Sequence, residues 1–188
     1  IKKYPDYKIK YIFETRLGPA IARNRGSKIA IGEYLVFIDD DAIASIEWLN
    51  NIYKGIKKNK PDILGGPIYP YYLNKKPKWF KDKYEIRTKG KTARILNKNE
   101  FLAGSNLIIN KNIFLKVGGL NISLGPKGNK LGYGEDTKFI IDSRNKIKNI
   151  KVYYDPNIKV YHLVPKHKMT LRYRAKASFV SGFYSNQI

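Results

Sequence analysis

The chain has 188 residues, 43% of them hydrophobic, which is enough for one ordinary domain with its own core. It has no cysteine, so disulfides and thiolate zinc sites are excluded and a reducing compartment suits it; nor does any apolar run approach the roughly 20 residues needed to cross a bilayer. The 37 Lys and Arg against 15 Asp and Glu give a net charge of +22, a field that attracts nucleic acid, nucleotide diphosphates or an anionic membrane face without choosing among them; lysine recurs on every segment, so compositional drift accounts for the excess equally well.

In chain order, "YKIKYIFE" (residues 7–14) alternates apolar and polar side chains and predicts a strand. "LGPAIARNRGSKIAIG" predicts a helix, with Pro19 suited to its first turn and Gly32 to its C-terminus. "EYLVFI" is apolar on both faces, the pattern of a central, parallel strand. Ser45 is placed to cap a helix whose apolar face is Ile46, Leu49, Ile52, Tyr53 and Ile56, and "DILGGPIYP" reads as the next strand. This rhythm predicts an α/β sheet with helical crossovers. Residues 70–100, rich in Lys, Tyr and Pro, read as a long excursion. Then come a strand in "NLIIN", a short helix in "KNIFLKVGG", a glycine-rich loop and a helix in "EDTKFIIDSRNKI" that Asn149 can close. Two short strands, "IKVYYDP" and "IKVYH", precede a basic helix carrying aromatics, "MTLRYRAKASFVSGFY". There is no internal repeat and no second domain.

The chemistry concentrates in "YLVFIDDDAI", where an apolar strand runs into Asp39, Asp40 and Asp41. Open α/β sheets bind ligands beyond the C-terminal ends of their strands. Hard oxygen donors there suit Mg²⁺ or Mn²⁺ shared with substrate phosphates, and a dication turns the mutual repulsion of Asp39 and Asp41 into shared attraction. Strand alternation puts Asp40 on the other side. Turn and capping chemistry is the plain alternative for such a triplet.

The surrounding segment, "GPAIARNRGSKIAIGEYLVFIDDDAI", resembles the family 2 glycosyltransferase pattern at Gly18, Pro19, Ala22, Arg23, Asn24, Gly26, Ala30, Gly32, Glu33, Tyr34, Leu35, Phe37, Asp39 and Asp41. The resemblance continues through "GGPIYP", "PKWF", "AGSNLIINKNIFLKVGGLN", "GYGEDTKF" and "VYHLVP". Its block spacing is similar to the subgroup associated with polysaccharide assembly. The resemblance implies a GT-A (Rossmann-like) α/β fold in one domain over 1–188. Residues 1–69 would be the remainder of the nucleotide-binding half, 70–165 the acceptor and catalytic half, and 166–188 a basic C-terminal helix. By the same resemblance the usual N-terminal β-α-β segment is missing, so the fold is expected to be N-terminally truncated.

The implied activity is inverting sugar transfer from a nucleotide-diphosphate sugar to a glycan or lipid-linked acceptor, with Mn²⁺ or Mg²⁺ as cofactor. Asp41 is the first-choice metal ligand, joined by Asp39 and by His162, an imidazole better suited to Mn²⁺ than to Mg²⁺. Arg23, Asn24, Asp39 and Asp40 flank the nucleotide sugar. Asp136 is the expected general base, with Glu135 orienting it or contacting the acceptor; a positioned base is worth about 10²–10⁴-fold in rate. Gly104, Ser105 and Asn106 bring backbone close to a sugar, and Trp79 can stack on a ring. Each has a plainer reading: a solvated helix face for Arg23, a helix N-terminus for Glu135 and Asp136, a strand entry for "AGSN", packing for Trp79 and a core histidine for His162.

The basic C-terminal helix either contacts a membrane peripherally or docks on its own domain. The expected location is the cytoplasm, at or near the inner face of the membrane, with no nucleic-acid partner. Two other classes of function compete: a Toprim-like nucleic-acid enzyme using Glu14 with Asp39 and Asp41, or a basic binding protein; an inactive glycosyltransferase fragment is the third.

Overall fold

A computed structural model describes residues 7–186, a mixed α/β chain built on two sheets. Helix α1 is Pro19–Ile29, followed by β1 (Tyr34–Ile38), β2 (Ala42–Ala44), α2 (Trp48–Asn59), β3 (Ile63–Gly65) and β4 (Ile68–Tyr71). The excursion carries a 3-10 turn at Asp82–Tyr84 and β5 (Arg94–Ile95). Then come β6 (Asn106–Asn110), α3 (Lys111–Val117), α4 (Glu135–Lys146), β7 (Val152–Tyr154), β8 (Val160–Leu163), a second 3-10 turn at Lys166–Met169 and α5 (Leu171–Ser185). The larger sheet has the order β1-β6-β3-β7-β5, the smaller β2-β8-β4.

The period of two along β6 builds the layers. Leu107 and Ile109 point to a core shared with Phe114 and Val117 of α3 and with Phe139 and Ile140 of α4. Ile108 points the other way, to Trp48 and Ile52 of α2 and to Ile158 and Val160 at the smaller sheet. β6 therefore has helices on both faces and is wholly apolar between its two asparagines. The helix ends follow local chemistry: Asn110 Oδ1 accepts from Asn112 N–H at 3.0 Å to cap α3, and Gly118 closes it at φ 102°. Thr170 Oγ1 caps α5 by accepting from Tyr173 N–H.

Several expectations fail for identifiable reasons. Residues 7–14 form no strand, because no strand of either sheet pairs with them; their alternation is not enough without hydrogen-bonding neighbours. β1 is neither central nor parallel: it lies at the sheet edge, antiparallel to β6 from Tyr34↔Asn110 to Ile38↔Asn106. Apolarity on both faces reports what covers a strand above and below, not which strands flank it. Here Leu35 and Phe37 pack on one layer and Tyr34 on the other. α1 stops at Ile29 with Ala30 as its cap, so Gly32 is not its terminus. α2 begins at Trp48, not beyond a Ser45 cap, and buries Trp48, Ile52 and Gly55, leaving Leu49 and Tyr53 outward and Ile46 fully exposed before the helix. The indole sets that rotation. Asn149 is left-handed as expected, but α4 is already closed by Ile147.

The segment 63–71 divides into β3 and β4 at Gly66 and Pro67, where the chain passes from the larger sheet to the smaller. A Cβ on Gly66 would stand 1.9 Å from the Ile158 carbonyl oxygen, so only glycine lets the two backbones cross. Beside this crossing Asn106, 1% exposed, ties three segments: it accepts from the Trp48 indole N–H at 3.0 Å and donates to the carbonyls of Ile158 (2.7 Å) and Pro67 (3.2 Å). Asn106→Ala strands a buried donor and two buried carbonyls, so urea denaturation is expected to show a loss of about 3 kcal/mol.

Candidate active site

The end of β1 delivers Asp39 and Asp41 to one place, and β8 brings His162 to meet them through the pairing of Ala42 with His162. His162 Nε2 lies 3.1 Å from Asp41 Oδ1 and 3.7 Å from Asp39 Oδ2. One ligand atom from each of the three residues falls within 4.8 Å of the others, a donor set of two carboxylates and an imidazole that fits Mn²⁺ well and Mg²⁺ less well. Asp40 is exposed and does not belong to this cluster. Glu14, the residue a Toprim-like site would require, pairs instead with Arg16 and Arg25.

Asp39 has two partners. Its Oδ1 is taken by Arg23 of α1, which leaves Oδ2 on the His162 side. The Arg23 guanidinium, 12% exposed, also reaches Glu135 Oε1 at 3.7 Å and thereby spans the space between the end of β1 and the start of α4. Gly104 makes this route possible: a Cβ there would stand 2.7 Å from Arg23 Nη1. The same glycine donates its N–H to Asp136 Oδ2 at 2.6 Å, while Thr137 N–H donates to Oδ1 at 2.8 Å.

Burial opposes ionisation of Asp39, but the His162 contact and the Arg23 charge outweigh it and hold the carboxyl below its ordinary value. Asp39, and behind it Asp41, raises the His162 imidazole. Asp41 is nearer but its carboxylate is more exposed, 39% against 29%, so solvent weakens its pull. Burial raises Glu135, with the neighbouring Asp136 charge adding to it against Arg23. Burial likewise raises Asp136, more than its amide hydrogen bonds lower it. One carboxylate is thus held ionised while two, a few ångströms on, are poised toward the proton-accepting range.

These groups line a cleft of about 290 Å³ whose walls include Arg23, Asp39, Gly104, Ser105, Glu135, Asp136 and His162. A second cleft of about 770 Å³ lies beyond, under Ser181, Tyr184 and Ser185 of α5, and Asp136 belongs to both walls. The fold does not gather every expected residue. Asn24 is engaged with Leu120, accepting from its N–H and donating to its carbonyl, each at 2.8 Å. The amide of Asn106 is committed as described above. Trp79 lines neither cleft, packing edge-on to Phe80 at 5.5 Å and against Tyr84 at 6.5 Å. Conversely Glu85, Arg87 and Tyr133 line the first cleft without having been singled out in the sequence, and Arg174 of α5 holds Glu85. The only sequence signal for Glu85 is its position as one of three carboxylates, with Asp82 and Glu100, in a lysine-rich excursion.

The profile of the family described as "Glycosyl transferase family 2" matches residues 1–118. Among curated proteins, the chain is 25% identical over 174 residues to a glucosyl-dolichyl phosphate glucuronosyltransferase of Haloferax volcanii, covering 88% of this chain and 54% of that protein. It is 26% identical over 187 residues to the succinoglycan biosynthesis protein ExoM of Rhizobium meliloti, covering 94% and 54%. The chain therefore spans about half the length of the curated relatives it matches. Among solved structures, the mannosyltransferase PcManGT of Pyrobaculum calidifontis, in complex with GDP-Man and Mn²⁺, superposes with a TM-score of 0.64 at 17% identity over 100% of this chain and 49% of that one. S. aureus TarS 1-349 in complex with UDP-GlcNAc gives 0.60 at 18% identity, over 88% and 45%. The fold is GT-A.

The site chemistry fixes a pH dependence. His162 is raised above its ordinary 6.5, and its protonated form cannot bind a cation. Mn²⁺ affinity by calorimetry is expected to rise from pH 6 to pH 8, and His162→Gln to flatten that rise.

Proposed function

The chain belongs to glycosyl transferase family 2, and on that premise we propose that it transfers a sugar, with inversion, from a nucleotide-diphosphate sugar to a hydroxyl of a glycan or lipid-linked acceptor. The observation that carries the reading is Asp136, a carboxyl raised by burial, fixed by two backbone amides and standing in the wall common to two clefts. The donor takes the cleft walled by Asp39 and His162, with Asp41 beside them, and the acceptor the larger one under α5. Asp136 removes the proton from the acceptor hydroxyl as it attacks the anomeric carbon, and Glu135 orients the acceptor beside it. Arg23 and Asp39 face the nucleotide diphosphate, while Asn24 supports α1 through its bonds to Leu120. The Gly104–Ser105 backbone approaches the transferred sugar, with Asn106 placing that turn, and Trp79 offers an outer stacking face. When bound at Asp39, Asp41 and His162, Mn²⁺ or Mg²⁺ supplies Lewis-acid stabilisation of the departing diphosphate. The cysteine-free composition supports a cytoplasmic setting, and polysaccharide assembly is the process that the relative from R. meliloti points to.

The first test is calorimetric titration of UDP, GDP and dTDP with Mn²⁺ into the chain and into Asp41→Ala. Binding that requires metal and vanishes in the variant supports the donor site; silence with every nucleotide from a folded chain sinks it. For the chemistry, Asp136→Asn is expected to lower transfer by about 10²–10⁴-fold while leaving metal-dependent nucleotide binding in place. Proton NMR of the product fixes the anomeric configuration, and retention would overturn the inverting assignment. Gly104→Ala forces the flexible Arg23 guanidinium aside without touching the core; turnover is expected to fall on the order of tenfold to a hundredfold with a near-native thermal midpoint.

A further inference from the structure

We propose that the outer face of α5 binds an anionic lipid bilayer. At 100° per residue, Arg172, Lys176, Phe179 and Phe183 fall within about 60° of one another around the helix. Tyr173, Ala177, Val180 and Tyr184 lie about 100° further round the helix and face the protein. The outward residues are open to solvent: Phe179 is 80% exposed and Phe183 58%, with both cations exposed as well. The helix thus presents two cations and then two aromatic rings along one outward line, and burial of neither ring contributes to the core.

The charge of this region points one way. From residue 156 to the end of the chain there is no Asp or Glu, while Lys159, Lys166, Lys168, Arg172, Arg174 and Lys176 are all cationic. Of these, only Arg174 has an ion-pair partner among the described residues, Glu85. The cations of α5 sit in its first turns with no acidic residue there, where the helix dipole is already positive, so helix stability does not explain their placement. The excursion is joined to this element: Phe80 packs on Val164 and Met169, and the Arg174 guanidinium lies over the Tyr84 ring at 5.4 Å. Its Lys75, Lys78, Lys81 and Lys83 are exposed, and Asp82, the one acid in 71–84, is engaged by Lys76 and Tyr72.

Duplex nucleic acid accounts for the cations through its phosphates but gives the two exposed phenylalanines no apolar partner. A bilayer takes both, with rings at the headgroup–acyl boundary and ammonium and guanidinium groups at the lipid phosphates. No helix among the described residues is long and apolar enough to cross a membrane, so the contact is peripheral. The inference does not depend on the sugar-transfer reading.

The test is flotation of the chain with vesicles of phosphatidylcholine, with and without phosphatidylglycerol. Binding is expected only with the anionic lipid and to fall as salt is raised. Each cation near the surface is worth about fivefold in partitioning, so Arg172→Gln with Lys176→Gln is expected to weaken it about 25-fold. Phe179→Ser with Phe183→Ser is expected to weaken it on the order of tenfold or more. None of the four residues lines either cleft, and far-UV circular dichroism with the thermal midpoint confirms that each variant is folded. A folded wild-type chain that ignores anionic vesicles overturns the proposal. So does binding that the serine pair leaves unchanged, which would assign the surface to a polyanion or an acidic protein instead.

Discussion

The side chain of Asn106 is the joint on which the architecture turns. β6 is the spine of the larger sheet, yet its first residue bonds outward to α2 through Trp48 and to the smaller sheet through Pro67 and Ile158. A buried amide that leaves no donor or acceptor open stabilises only modestly as a set of bonds, but it costs a great deal to disrupt. That asymmetry ties the rotation of α2, the crossing at Gly66 and the path of residues 103–105 to one another. The turn that follows into the cleft is placed by this joint, and so are the amide aimed at Asp136 and the gap through which Arg23 passes.

The second organising element is electrostatic. In a chain with a surplus of 22 positive charges, the carboxylates of the cleft are crowded, partly buried and compensated by few groups. Arg23 compensates two of them at once, taking Oδ1 of Asp39 and approaching Glu135, while His162 answers the other side of Asp39 together with Asp41. The long guanidinium fork does what a lysine could not, because two carboxylates on different elements need two directed donors. The outcome is a gradient of proton affinity along the cleft, low at Asp39 and raised at Glu135 and Asp136.

Much of this was legible in the residues. Asp39 and Asp41 stand out as carboxylates ending an apolar strand, though turn chemistry reads the same triplet, and Glu135 and Asp136 are marked by the family resemblance, since pattern alone reads them as a helix N-terminus. The helices at 111–117 and 135–146 and the strands at 106–110, 152–154 and 160–163 follow from local period and caps. What escaped was set by distant partners. Asn106 reads as a turn residue until Trp48 is placed against it, and Trp48 itself overrides the apolar face drawn through Leu49 and Tyr53. The edge position of β1 could not be told from its composition: Val36 and Ile38 are apolar yet exposed, so a run that reads as buried on both faces packs chiefly through Leu35 and Phe37. The bridge from Arg23 to Glu135 joins residues more than a hundred positions apart, and only the third dimension makes them neighbours.

Gly66 shows how unevenly such a chain can drift. Most of its lysines stand in solvent, where exchange for another polar residue alters little beyond net charge. At position 66 a single added methyl would meet the Ile158 carbonyl at 1.9 Å, in backbone that Asp155 and the smaller sheet hold on either side, so no side-chain rearrangement can make room. Substitution is therefore cheap across the surface and forbidden at this atom-sized gap between two sheets. A divergent homologue that had lost this glycine would have had to move a whole sheet to keep the rest.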